Sequence, residues 1–271
     1  MPDPIPLKSD KPIAPASALL CSNMLAVASG KGGVGKTWFS ITLCHALAKR
    51  GKHVLLFDGD LGLANVDIQL GLTPDRDLGG VIEGTTTLPG AVTNYAEGKF
   101  DVLAGRSGSG NLASLATQRL SDLRNDLIAL ARNYDQVVVD LGAGVERSVR
   151  QMAGPAAVTY VVLTDEPTSL TDAYAFIKLT RAANPQADLR VVVNMAANAG
   201  DGQKTYDTIR KASESFLNYS PPLAGIVRRD SKVRDAIRAQ TSLLTRSPTS
   251  DAASDVEAIA QRLLAGGGVP T

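Results

Sequence analysis

From residue 25 onward the chain alternates between two hydrophobic periods. Short, nearly continuous apolar runs occur at Leu25-Ala26-Val27-Ala28, His53-Val54-Leu55-Leu56-Phe57, Val137-Val138-Val139, 159–163 and 190–193. They leave no polar face, as expected of parallel strands covered by helices on both sides. Between them, apolar residues recur at three- and four-residue steps across 37–50, 120–132, 170–183, 204–218 and 256–264, the spacing of helices with one buried face. Strand–helix alternation predicts an α/β fold: a single doubly wound, mostly parallel sheet flanked by helices.

The ends break this pattern. Pro2, Pro4, Pro6, Pro12 and Pro15 remove backbone donors, so 1–23 is expected to be a flexible arm, with the folded domain over 24–264. A frayed tail is expected over 265–271, which contains Gly266-Gly267-Gly268. A length of 271 residues without an internal repeat favours one domain. The 28 basic and 27 acidic side chains nearly cancel, so any binding to nucleic acid or anionic lipid must be local. Cys21 and Cys44 are isolated; they support neither a disulfide framework nor a zinc or iron–sulfur site and fit a reducing cytoplasm. Signal-peptide and membrane-spanning patterns are not expected.

Candidate chemistry centres on Gly30-Lys31-Gly32-Gly33-Val34-Gly35-Lys36-Thr37. It follows a predicted strand, opens a predicted helix and has the spacing of a P-loop. Glycines let consecutive amides turn onto phosphate oxygens, the helix N-terminus adds its positive end, Lys36 adds charge, and the Thr37 hydroxyl can ligate Mg2+. Gly32, Gly33, Val34, Gly35, Lys36 and Thr37 are therefore expected to carry nucleotide. Trp38 lies in the same stretch, with its indole expected to pack rather than recognise a base. Strand 53–57 ends in Asp58-Gly59-Asp60, and strand 137–139 ends in Asp140. Carboxylates at carboxyl ends of parallel strands lie where this architecture binds ligands; Thr37, Asp58 and Asp140 are the candidate metal group. Asn194, after strand 190–193, can donate and accept at once, which suits either a turn or the edge of adenine.

The stretch Lys31-Gly32-Gly33-Val34-Gly35-Lys36-Thr37 resembles the deviant Walker A motif of the MinD/ParA/nitrogenase-iron-protein class, the SIMIBI-like P-loop NTPases. Asp58-Gly59-Asp60-Leu61-Gly62-Leu63-Ala64-Asn65-Val66-Asp67 is similar to the family's first switch, and Leu141-Gly142-Ala143-Gly144 to its second. The resemblance implies a Mg-dependent ATPase that binds ATP and ADP and forms a homodimer around ATP. It implies that Lys31 crosses to the partner's nucleotide, that Asp60 orients the attacking water, that Asp58 lies near the metal's water shell, and that Asn194 reads adenine. Lys31, Lys36 and Asp60 are the candidate catalytic residues. Thr42, where the family carries asparagine, and Leu141, where it carries a small or polar residue, depart from the pattern.

The segment Asp165-Glu166-Pro167-Thr168-Ser169-Leu170-Thr171-Asp172-Ala173-Tyr174-Ala175-Phe176-Ile177-Lys178 is similar to that of the FlhG/FleN flagellar regulators. Thr168 to Thr171 are also placed to cap the following helix. That branch implies partners such as an FlhF-like GTPase, a FleQ-like transcription regulator or flagellar switch proteins, and a polar or transient membrane location. No FlhF-activating motif stands in 1–23. Val256, Ile259, Ala260, Leu263 and Leu264 form an apolar stripe whose polar side offers Glu257, Gln261 and Arg262, a pattern of core packing more than of a basic membrane helix. Arg228, Arg229, Lys232, Arg234 and Arg238 are expected to be solvated rather than to bind DNA, the ParA-like alternative. A MinD-like role in cell division or polar positioning is the other alternative.

Overall fold

The computed structural model describes residues 20–60, 62–105 and 117–266. One eight-stranded sheet runs through them in the order β3-β4-β2-β5-β1-β6-β7-β8. Its strands are β1 (Cys21–Ser29), β2 (Val54–Gly59), β3 (Thr93–Tyr95), β4 (Phe100–Leu103), β5 (Gln136–Ala143), β6 (Ala156–Leu163), β7 (Leu189–Ala196) and β8 (Leu223–Arg228). All neighbours pair in parallel except β3 with β4. Cys21 to Asn23, expected in the arm, form the start of β1: Cys21 N donates to Pro155 O, and Asn23 Nδ2 to Ala131 O and Tyr134 O. The rest of the expected arm, and residues 267–271 of the expected tail, lie outside the described residues.

Alternation along the central strands sorts their side chains onto two cores. Leu25, Val27, Val54, Leu56, Val138 and Val162 face one; Met24, Ala26, Leu55, Phe57, Val137 and Val139 face the other. The first face is covered by α1 (Lys36–Ala48) and α10 (Asp251–Leu264), and the second by α4 (Thr117–Ala131), α5 (Arg147–Ala153) and α6 (Pro167–Ala183). Burial on both sides is why the strands read as unbroken apolar runs. Between β1 and β2, α1 is buried all round, so Thr42 has no access to water; its hydroxyl donates to Trp38 O at 2.9 Å, which satisfies it within the helix.

The stripe of α10 goes where a core helix requires. Val256, Ile259 and Ala260 are buried and Leu263 packs against them, while no helix among the described residues is long and apolar enough to cross a membrane. Elements with weak periodicity are not legible in sequence: the edge pair β3/β4, and the short helices α2 (Val66–Leu70), α3 (Leu78–Glu83) and α9 (Leu243–Arg246). The basic stretch, whose Val233, Ala236 and Ile237 share a helical face, forms α8 (Ser231–Arg238) with that face on the core. The remaining helix, α7 (Ala199–Leu217), covers β7 and β8.

Candidate nucleotide site

The phosphate loop joins β1 to α1. Gly33 and Gly35 take φ of +80° and +87°, a region side chains with a Cβ avoid. Gly35 also has a packing reason: a Cβ there would sit 2.5 Å from Asn194 Nδ2. Asn194, buried in β7, donates from Nδ2 to Val34 O at 2.8 Å. The amide therefore ties the loop to the sheet and leaves its Oδ1 and one N–H for a ligand, a more constrained role than a free adenine reader.

Parallel register brings the carboxylates together. Asp58 on β2 pairs with Asp140 on β5, and Asp140 in turn with Val27 on β1. Both aspartates are buried. Burial, then repulsion from Asp140, lifts Asp58 to about 7; burial lifts Asp140 to about 6 against the opposing pull of Lys36 and hydrogen bonds from Thr37 and Ser40. Two buried carboxyls that resist joint ionisation invite a cation. Ser40 Oγ donates to Asp140 Oδ1 at 3.0 Å, whereas Asp140 Oδ2 is buried without a partner. An orphaned carboxylate oxygen beside the Thr37 hydroxyl suits Mg2+, a hard cation that takes few protein ligands and completes its shell with phosphates and water. Among the described residues no set of three or more His, Cys, Asp or Glu could hold a metal unaided, so the ion would depend on a nucleotide. Asp58 is committed elsewhere: Oδ1 accepts from Asp60 N, and Oδ2 from Asn65 N and Val66 N, at 3.1–3.2 Å. It holds the turn between β2 and α2.

Asp60 lies between the loop after β2 and the end of β5. Its Oδ1 accepts from Leu63 N at 3.0 Å and Gly62 N at 3.3 Å, and a Cβ on Gly142 would meet that same oxygen at 3.4 Å. Leu141, the departure from the family pattern, turns inward and is buried, and a Cβ on Gly59 would touch its Cδ2. Lys36 is buried next to Asp140.

Lys31 behaves otherwise. It is partly exposed, and its Nζ lies 2.5 Å from Glu166 Oε2 and 2.8 Å from Thr168 Oγ1 at the start of α6. Lys31 holds the Glu166 carboxyl below its ordinary value. The expected cap over 168–171 is not present: α6 begins at Pro167, its N-cap position is Glu166, and no side chain caps it. Thr168 lies within the first turn, and its hydroxyl receives Lys31 instead. Glu166 lies in the FlhG/FleN-like segment, but no sequence signal gives it or Ser40 a role, because the first pairs with a residue 135 positions away and the second with one 100 away.

A cavity of about 510 Å3 opens beside the loop, lined by Gly35, Trp38, Asn194, Met195, Arg229 and Arg234 among others. Trp38 packs into the core, as expected, and forms part of the cavity wall. Met195 adopts φ +58° there, a left-handed conformation rare outside glycine. Arg228, which also lines this cavity, is tied to Asp251 at 2.8 Å and Asp255 at 2.9 Å.

A phosphate-cradling loop, a buried lysine, an orphaned carboxylate oxygen and an adjoining base-sized cavity at the carboxyl ends of parallel strands define a P-loop nucleotide-binding domain. The profile described as "CobQ/CobB/MinD/ParA nucleotide binding domain" matches residues 25–243. The chain belongs to that family. It is 37% identical over 240 residues to the antiactivator FleN of Pseudomonas aeruginosa, covering 89% of this chain and 85% of that protein. It is 28% identical over 244 residues to the flagellum site-determining protein YlxH of Helicobacter pylori, covering 90% and 82%. Among solved structures, the cell division ATPase MinD of Pyrococcus furiosus superposes with a TM-score of 0.76 at 23% identity, covering 90% of this chain and 99% of that one, a likeness of fold.

Proposed function

We propose that this protein is a Mg-dependent ATPase whose ATP-bound form dimerises, and that the dimer regulates the number or placement of flagella. The observation that carries the switch is the division of labour between two lysines in one loop: Lys36 is buried against the Asp140 carboxylate, while Lys31 is exposed at the rim. One cation serves the protomer's own phosphates; the other, held at Glu166 and Thr168, has only to swing its side chain to meet a second copy. When bound, Mg2+ would be held by Thr37 and Asp140 and would supply positive charge against the phosphates. Asp60 then orients a water in line with the γ-phosphate, Lys36 and the partner's Lys31 stabilise the spreading charge, and loss of the γ-phosphate relaxes both switches. Asn194 and the cavity beside Trp38 take the base. The flagellar assignment is supported by YlxH, whose name carries it, and by the likeness of 165–178 to the FlhG/FleN regulators; the FleN relative is named an antiactivator, which acts on an activator and makes a FleQ-like transcription regulator the first partner to test, ahead of an FlhF-like GTPase and flagellar switch proteins. Action within the cytoplasm at a pole accords with this reading, and the packed face of α10 gives no support to lipid binding.

The test is the solution mass of the full chain carrying Asp60→Ala, with ADP and with Mg-ATP. Dimer with Mg-ATP alone, together with turnover reduced at least about a hundredfold, supports the switch; a mass indifferent to nucleotide, or normal turnover, removes it. Retention on DNA that falls steeply with salt would move the assignment to a ParA-like partition ATPase.

A further inference from the structure

The contact between Lys31 and α6 has a consequence for the dimer switch, on which it depends. An ammonium has three donors, and two of those of Lys31 are engaged by its own chain, at Glu166 Oε2 and Thr168 Oγ1. The contact is not a loose surface pairing between two wandering side chains. Gly30, one residue before Lys31, lies so close to α6 that a Cβ would fall 2.1 Å from the Asp172 carbonyl carbon, so the loop and the helix start are locked at the level of the backbone. Ser29 Oγ donates to Lys31 O at 2.7 Å, which pins the residue's main chain and leaves only the side chain to swing. Glu166, for its part, is not needed by the helix it precedes: it occupies the N-cap position but makes no capping bond, and Pro167 sets the first turn.

We propose that Glu166 and Thr168 are a resting anchor for Lys31, positioning residues that hold the lysine on its own protomer and must release it before it can neutralise the phosphates of nucleotide bound by a second copy. An ammonium paired to a carboxylate inside one chain is unavailable to a phosphate of another, so the anchor opposes dimerisation until ATP makes the exchange favourable. The anchor thus sets how much protein and ATP are required for the dimer to form. Glu166 is exposed, so water takes over its carboxylate once Lys31 leaves.

Glu166→Gln in the Asp60→Ala background of the full chain tests this, with the monomer–dimer constant measured by sedimentation at saturating Mg-ATP so that altered nucleotide affinity of the monomer does not enter. An exposed ion pair shifts an equilibrium by roughly two- to fivefold. Two anchors open per dimer, so the constant should tighten by roughly four- to twenty-five-fold, and Thr168→Val should tighten it by less. Asp165→Asn removes a neighbouring exposed carboxylate outside the Lys31 contact and should leave the constant unchanged. A dimer unchanged or weakened by Glu166→Gln overturns the anchor, as does an equal gain from Asp165→Asn, which would reduce the effect to general charge. If the Asp60→Ala protein with Glu166 intact stays monomeric in Mg-ATP, the switch reading itself fails and the anchor falls with it.

Discussion

Gly30→Ala is the substitution whose effect follows most directly from geometry. Gly30 faces the first turns of α6 with no space for a side chain: an added Cβ would lie 2.1 Å from Asp172 C, 2.2 Å from Asp172 O and 2.7 Å from Ala173 N. Ordinary contact begins near 3.4 Å, so the loop and the helix must part by more than 1 Å along this line. The obstructing atoms are helix backbone, which cannot relax by changing rotamer. Overpacking of this kind costs about 3 kcal/mol, the upper part of its usual range. For a domain of this size each kcal/mol moves the melting temperature by about 2–4 °C, which gives a loss of about 6–12 °C. The same displacement moves Lys31 away from Glu166 and the phosphate loop away from Asn194, so ADP affinity should drop as well. Gly51→Ala is the control: Gly51 has φ +77° but no atom within 4 Å of a Cβ, so that variant should lose only about 1 kcal/mol, with unaltered ADP binding. A Gly30→Ala protein that melts and binds ADP like the parent would refute the claim that β1 and α6 are held in contact at this point.

Three further outcomes follow from the site and its supports. Asp58 and Asp140 hold protons to about 7 and about 6, and Mg2+ must displace those protons. The rise in melting temperature given by Mg-ADP over ADP alone should therefore grow as pH increases from about 5.5 to about 8, and a pH-independent increment would contradict the coupling. His45, buried with Nδ1 at 2.7 Å from Ser242 Oγ, is lowered to about 4, chiefly by burial. Below its unfolded value of 6.5 the unfolded chain takes up this proton more readily than the folded one, so His45 makes stability fall as pH drops from 6.5 toward 4. Urea titrations of His45→Gln should show a shallower decline over that window; parallel curves would rule the histidine out as the cause. Trp38 is the sole tryptophan and forms part of the cavity wall, so nucleotide should change its emission, an effect that ADP titration by fluorescence would reveal or exclude.

Some of this architecture is dictated locally. Apolar runs at 25–28, 54–57 and 137–139 are too short for helices and read as strands buried on both faces, and helical spacing between them leaves a doubly wound sheet as the way to bury both. The phosphate loop is equally local, because its function uses consecutive backbone amides and two lysines within eight residues. Other features depend on contacts that no window of sequence contains. Asp58 holds its proton more tightly than a free carboxyl because the parallel register of β2 and β5 sets it beside Asp140 and the sheet removes water from both. Asn194 clamps the loop rather than standing free because β7 carries it under Val34 O. Glu166, unremarkable in sequence, meets Lys31 because Gly30 lets the loop lie against α6. What the chain decides alone is periodicity and loop chemistry, which act over a few residues; what tertiary structure decides is which charges are desolvated and which partners they find, since burial and pairing are set by distance in space.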